Sequence, residues 1–195
     1  MAETDLLDMQ MVLVPSGKFT RGSNRGEDEK PVRQIYLNAF YMDKFEVTVG
    51  QYARYLEVTD MEEPPDWSIM NQPQHQRRPV VNVSWEDAVN YCKWVGKRLP
   101  TEAEWEKAAR GTDGRIYPWG NEAPTRLHAN YGRKDWDDHL ALAPVGSFEA
   151  GKSPYGIYDM AGNAWEWVFD WYDHDSYATS LEKNPIGPAK GDQKV

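Results

Sequence analysis

At 195 residues the chain is long enough for one domain with a substantial core, and nothing in its composition divides it in two. A hydrophobic content of 40% with 9 Trp excludes an intrinsically disordered chain. The net charge of -9 argues against nucleic acid as a partner and favours cationic ones.

The opening MAETDLLDMQMVLVPSG has neither a basic n-region nor a long apolar stretch. No window approaches the roughly 20 apolar residues that span a bilayer, so neither a secretory leader nor a membrane partner is expected. Cys92 stands alone, which excludes an internal disulfide and suits a reducing, cytoplasmic compartment.

In chain order, MVLVPSGKFT (11–20) reads as a strand, a Pro-Gly turn and a second strand. Gly22 to Pro31 is a charged loop, and VRQIYLNAFYMDKFEVT supplies strand-like runs rich in β-branched and aromatic residues. Thr48 N-caps a predicted helix through about Glu57 that buries Tyr52, Tyr55 and Leu56. Thr59 to Pro79 is rich in Pro, Gln and charge, has no periodicity, and reads as a surface loop. Ser84 opens the next helix with Asp87 returning the cap, and Trp85, Ala88, Cys92 and Val95 form its core-facing stripe. On that stripe Cys92 reads as a small buried hydrophobe rather than a nucleophile. Gly96 ends this helix, with Lys97 and Arg98 favouring its negative end. Thr101 and Glu104 form a capping box for a helix carrying Ala103, Trp105, Ala108 and Ala109, closed by Gly111. Beyond Tyr117-Pro118-Trp119-Gly120 no helical period survives, and buried aromatics or bound cations must satisfy the backbone there.

Several motifs carry little chemistry. Gly146-Ser-Phe-Glu-Ala-Gly151-Lys152-Ser153 fits the P-loop pattern, but Pro154-Tyr155-Gly156 follows where a phosphate-binding helix has to start. His75, His128, His139 and His174 have no pair at metal-ligand spacing. The trio Asp170, Asp173, Asp175 lacks the rest of an EF-hand loop and reads as solvated surface. Two oxygen-rich patches are better candidates for a hard cation, against the plain alternative of acidic loops. One is Asp159-Met-Ala-Gly162-Asn-Ala164-Trp-Glu166, where carboxylates flank a turn with free carbonyls; the other is Asn130-Tyr131 with Asp137 and His139.

The run VSWEDAVNYCKWVGKRLPTEAEWEKAARGTDGRIYPWG (83–120), taken with YGIYDMAGNAWEWVFDWY, resembles the formylglycine-generating enzyme (sulfatase-modifying factor) family. The likeness extends over nearly the whole chain, through MVLVPSGKFTRGS, FEVTVGQYARYL and APVGSF. Arg21 and Val49 depart from it, standing where an apolar and a polar residue are usual. The resemblance implies an α+β, C-type-lectin-like fold with two or three helices, short twisted strands and much irregular chain. It implies a single domain over residues 1–195, and an activity that oxidises a substrate cysteine in sulfatases to formylglycine with O₂. It also implies structural Ca²⁺ in one or two sites. The first corresponds to Asp159, Gly162, Ala164 and Glu166; the second corresponds to Asn130 and Asp137 by side chain with Tyr131 and His139 by carbonyl, Asp138 being the alternative to Asp137. Trp165 corresponds to a substrate-binding Trp of the groove.

The family's catalytic thiolates bind Cu(I) in a segment that follows the equivalent of Asn184-Pro185, and this sequence is read as lacking that segment. No catalytic residue carries over, Cu(I) is not expected to bind, and the chain alone is expected to be inactive. The implied partners are a sulfatase-like peptide or other protein, and a complementing C-terminal fragment or subunit. Missing closing strands predict open edges and exposed core. The alternative is a non-catalytic C-type-lectin-like module that binds a ligand or protein. Related iron-dependent sulfoxide synthases share the domain but add a helical domain with metal-binding His residues.

Overall fold

The computed structural model describes residues 9–132 and 141–195. Four strands, β1 (Met11–Val14), β2 (Gly17–Arg21), β3 (Arg33–Leu37) and β4 (Phe40–Asp43), precede the helices. These are α1 (Val49–Val58), α2 (Trp67–Met70), α3 (Trp85–Trp94), α4 (Glu102–Arg110) and α5 (Ser176–Thr179), of which α2 and α5 are single turns. The α+β class follows, with most of the chain after α4 irregular. Among the described residues no helix is long and apolar enough to cross a membrane.

The chain does not reverse at Pro15, contrary to the strand–turn–strand reading. β1 pairs antiparallel with β4 (Met11 opposite Asp43) and β2 with β3 (Gly17 opposite Leu37), in one unbroken register. The four strands are thus a single long ribbon, interrupted where Pro15 lacks the N–H that a ladder needs. Lys107 of α4 covers the break: its ammonium, 1% exposed, donates to the carbonyls of Pro15 at 2.6 Å and Gly17 at 3.2 Å. The outer edge of β3 is paired too, with Tyr36 bonded to Glu182 and Asn184. Apolar side chains do lie open on the other half of the ribbon, at Met11, Leu13 and Tyr41.

Local rules set the three long helices. Thr48 with Gln51, Ser84 with Asp87 and Thr101 with Glu104 each form a reciprocal capping box, a device worth roughly 0.5–2 kcal/mol per cap. Gly111 closes α4 at a φ of 69°, a backbone that favours glycine. α1 and α3 pack through Tyr52, Tyr55 and Tyr91, and Trp67 and Met70 of α2 complete this aromatic core. The segment read as a surface loop therefore contributes core, and His75 is buried with it. A second cluster joins Val14, Ala108, Ala109, Ile157 and Met160, and a third joins Phe19, Ile35, Leu37 and Ala103, so α4 seals the ribbon.

Two further readings change. On α3 the fully buried ring is Tyr91, while Trp85, Ala88, Cys92 and Val95 are only half-buried. Asp170 is not solvated surface: it is 4% exposed and accepts from the Glu102 N–H at 2.8 Å, a second anionic cap on α4. The P-loop look-alike is a short 3₁₀ turn at Glu149–Gly151 with no α-helix after it until α5.

Candidate functional site

A cavity of about 580 Å³ opens between β4, α3, the start of α4 and the segment 157–167. Tyr41, Tyr91, Cys92, Trp105, Trp165 and Trp167 line it, and Trp165 is fully exposed at its rim. Trp167 is fixed there by its indole N–H, which donates to the Val83 carbonyl at 3.0 Å. An exposed indole at the rim, beside a second one held in the wall, is the kind of apolar surface that marks a binding site.

The polar wall of the cavity is anionic. Glu46, in the link from β4 to α1, accepts from the Asn163 side-chain amide at 2.7 Å and from the Ala164 N–H at 3.1 Å. Glu166 accepts from the Trp105 indole, and Asp159 accepts from the Gly146 N–H at 2.8 Å. Burial, reinforced by the Glu166 and Asp159 carboxylates, holds the Glu46 carboxyl well above the usual range. Burial also raises Glu166, with Asp159 adding to it, and raises Asp159. Among the described residues, the charges that act on Glu46 are the Glu166 and Asp159 carboxylates. Glu46 lies in FEVTVGQYARYL, one of the runs that carry the family resemblance, but nothing in that run singled it out as a site residue.

The residues of the first oxygen-rich patch come together as a turn. Asp159 and Gly162 both hold positive φ, 58° and 94°. Among the described residues no hydrogen bond engages the Gly162 or Ala164 carbonyls. Two free carbonyls and carboxylates that repel one another are a hard-oxygen donor set, so the residues fit Ca²⁺ in chemistry and charge. Among the described residues no three His, Cys, Asp or Glu side chains form a metal centre by themselves, so any such site depends on the carbonyls.

The second patch lies against the first. The Asn163 N–H donates to the Asn130 carbonyl at 2.9 Å, and the Asn130 amide donates to Asn163 Oδ1 at 3.1 Å and to the Ala141 carbonyl at 2.8 Å. A Cβ on Gly162 would come within 2.6 Å of the Asn130 carbonyl, which is why the turn carries glycine there. The Tyr131 carbonyl accepts from the Arg126 guanidinium at 2.8 Å. Asp137 and His139, with Asp138, lie outside the described residues.

Cys92 faces the same cavity. Burial, and after it the Asp43 carboxylate, pushes its thiol up to about 11. Beside it Lys97 pairs with Asp43 at 2.5 Å, and the Tyr91 hydroxyl is buried with no hydrogen-bond partner among the described residues.

A long ribbon sealed by α4, a three-helix aromatic core and an irregular second half with a Trp-rimmed cavity define a C-type-lectin-like α+β domain. Comparison with known proteins makes this specific. Residues 2–195 match the sulfatase-modifying factor enzyme 1-like domain, and the chain belongs to that family. It is 35% identical to the formylglycine-generating enzyme of Thermomonospora curvata, over 95% of this chain and 80% of that protein. It is 40% identical to the protein named serine/threonine-protein kinase pkn1 of Chlamydia caviae, over 95% of this chain but 32% of that one. The chain thus spans about a third of the length of that relative. Among solved structures, PvdO from Pseudomonas aeruginosa superposes with a TM-score of 0.74 at 29% identity, over 92% of this chain and 77% of that chain. The fold is that of the formylglycine-generating enzyme type.

Proposed function

We propose that this domain presents a Trp-rimmed groove to a polypeptide, such as a sulfatase-like peptide, and that its 195 residues alone do not oxidise a substrate cysteine to formylglycine. The observation that carries this reading is the state of Cys92, the one cysteine of the sequence: half-buried in the cavity wall, with its pKa raised to about 11. The family chemistry implied by the resemblance needs two thiolates around Cu(I), a soft ion that selects soft anionic sulfur. A single thiol held neutral by burial does not fit that group. Thiolates supplied by a complementing segment or subunit would have to enter beside Trp165, and the open Met11, Leu13 and Tyr41 side chains offer the apolar surface for it.

Ca²⁺ is proposed as a structural ion at Asp159, Gly162, Ala164 and Glu166. There it would supply positive charge between carboxylates that otherwise repel one another. The chain's own groups do the positioning: Glu46 braces the turn, Trp105 holds the Glu166 carboxylate, and Trp165 on the same turn is kept at the rim. A single cysteine suits a reducing compartment, and the cytoplasm is the proposed location.

The test is mass spectrometry of a Cys-x-Pro-x-Arg peptide incubated with the chain, Cu(I) and oxygen, alongside Trp fluorescence of the same mixture without copper. The expected result is an unchanged peptide together with saturable quenching that is lost in Trp165→Ala. An aldehyde product would overturn the inactive reading. A second reading, a non-catalytic protein-binding module, is favoured by the kinase-named relative, in which the matching region is 32% of a longer protein. It takes the lead if the sulfatase-type peptide neither reacts nor binds.

A further inference from the structure

Two indoles mark the rim of the cavity, and they are held in different ways. Trp167 is anchored through its own ring, whose N–H donates to the Val83 carbonyl at 3.0 Å, just before the cap of α3. Trp165 has no such tie. Among the described residues no hydrogen bond, ring contact or cation engages its indole, and the ring is fully exposed. It is therefore placed by its backbone alone, and the backbone on either side of it belongs to the turn 159–166.

That turn does not hold its shape by itself. Asp159, Gly162 and Asn163 have φ of 58°, 94° and 68°, and the two that are not glycine stay in the left-handed region only where their surroundings impose it. The surroundings pull in two directions. Hydrogen bonds draw the turn in: the Ala164 N–H and the Asn163 amide donate to Glu46 at 3.1 and 2.7 Å, the Gly146 N–H donates to Asp159 at 2.8 Å, and the Trp105 indole donates to Glu166. These bonds also gather the Glu46, Asp159 and Glu166 carboxylates where they oppose one another. A hard cation among those oxygens removes the repulsion and leaves the hydrogen bonds in place.

We propose that Ca²⁺ occupancy of the 159–166 turn sets the position of Trp165, and through it the affinity of the groove for a polypeptide. Asp159, Gly162, Ala164 and Glu166 would hold the ion, and Trp165 stands between the last two, so the residues on both sides of it are fixed together. Glu46 is a positioning residue: it ties the Ala164 N–H to the link that leads into α1. Trp167, anchored to Val83, stays put whether or not the turn is filled. The coupling is reciprocal, so whatever factor the ion adds to polypeptide affinity the polypeptide adds to ion affinity. The effect on polypeptide binding rests on the groove reading above; the effect on Trp165 needs no polypeptide.

The experiment is fluorine NMR of the chain labelled with fluorotryptophan, with the two rim resonances assigned through Trp165→Phe and Trp167→Phe. Protein stripped with EDTA is titrated with calcium chloride, and with magnesium chloride as the control. A Cys-x-Pro-x-Arg peptide is then titrated in calcium and in EDTA. The Trp165 resonance is expected to shift saturably with calcium and not with magnesium, while that of Trp167 stays in place. Glu166→Gln keeps an acceptor for the Trp105 indole and should lose the response while still melting cooperatively in EDTA. Glu46→Gln, which keeps an acceptor for the Ala164 N–H, should retain it. The peptide should bind at least about fivefold more tightly in calcium. A Trp165 resonance that calcium leaves unmoved, or that moves no more than that of Trp167, overturns the proposal, and so does equal peptide affinity in calcium and EDTA. If calcium moves Trp165 but the peptide binds in neither condition, the groove reading falls and the calcium control of Trp165 stands.

Discussion

Glu46 and Ala164 are 118 residues apart in sequence and joined by a hydrogen bond, the Ala164 N–H donating to the Glu46 carboxylate at 3.1 Å. The same carboxylate accepts from the Asn163 amide, so a link leaving the ribbon holds the turn that carries Trp165. Removing the acceptor in Glu46→Ala leaves the Ala164 N–H without its partner and the Asn163 amide with only the Ala143 carbonyl at 3.3 Å, at a cost of about 1–3 kcal/mol for a donor that stays buried. Glu46→Gln keeps an acceptor oxygen and removes a charge that Glu166 and Asp159 oppose, so it should cost less than the alanine variant. Urea denaturation in EDTA checks the order.

Calcium should relieve the same repulsion. Added at about 100 times its Kd, an ion that binds only the folded state stabilises by about 2.7 kcal/mol. A melting temperature that rises with Ca²⁺ and falls back with EDTA is the expected outcome, with the rise strongly reduced in Glu166→Gln. A rise of equal size in that variant would place the ion elsewhere.

Cys92 sets a pH signature. Its folded pKa is raised, so the neutral thiol is the stabilising form. That contribution is present below the unfolded value of about 8.5 and is lost as pH climbs toward the folded one. Alkylation by iodoacetamide at pH 8 should run about two orders of magnitude slower than for free cysteine, since thiolate is the reacting form. Stability should fall between pH 9 and the folded pKa of about 11, and less so in Cys92→Ala.

Among the described residues the buried Tyr91 hydroxyl has no hydrogen-bond partner. Tyr91→Phe keeps the rings of Tyr52, Tyr55 and Trp94 packed while removing an unsatisfied group. It should leave stability unchanged or raise it by roughly 1 kcal/mol, by denaturant midpoint. Tyr91→Ala, which opens a void in the same core, should cost roughly 3–5 kcal/mol.

Trp165 behaves in the opposite way. Being fully exposed, it should cost less than about 0.5 kcal/mol of stability when changed to Ala, yet abolish peptide quenching at the groove. Loss of fold in that variant would mean the ring is structural.

The sequence by itself determined whatever rests on neighbours in the chain. The N-cap at Thr48, the capping boxes at Ser84 and Thr101, the stop at Gly111 and the failure of the P-loop pattern were all legible. Each depends on groups within a few residues of one another, whose geometry the backbone imposes. The GNAWEW segment was legible as a turn for similar reasons, because its glycine and flanking carboxylates lie in one short run. Only the tertiary structure decided the rest. Nothing local says that β1 passes straight through Pro15 to pair with β4, because an isolated strand carries no record of its partner. Nothing local makes Trp67 and Met70 core or Asp170 a cap, since burial depends on which surfaces α1, α3 and α4 leave to be filled. The meeting of Glu46 with Asn163 and Ala164, and of Lys194 with Trp85, joins groups far apart in the sequence. Such contacts form only once the hydrophobic core has closed and removed the water that would otherwise satisfy them.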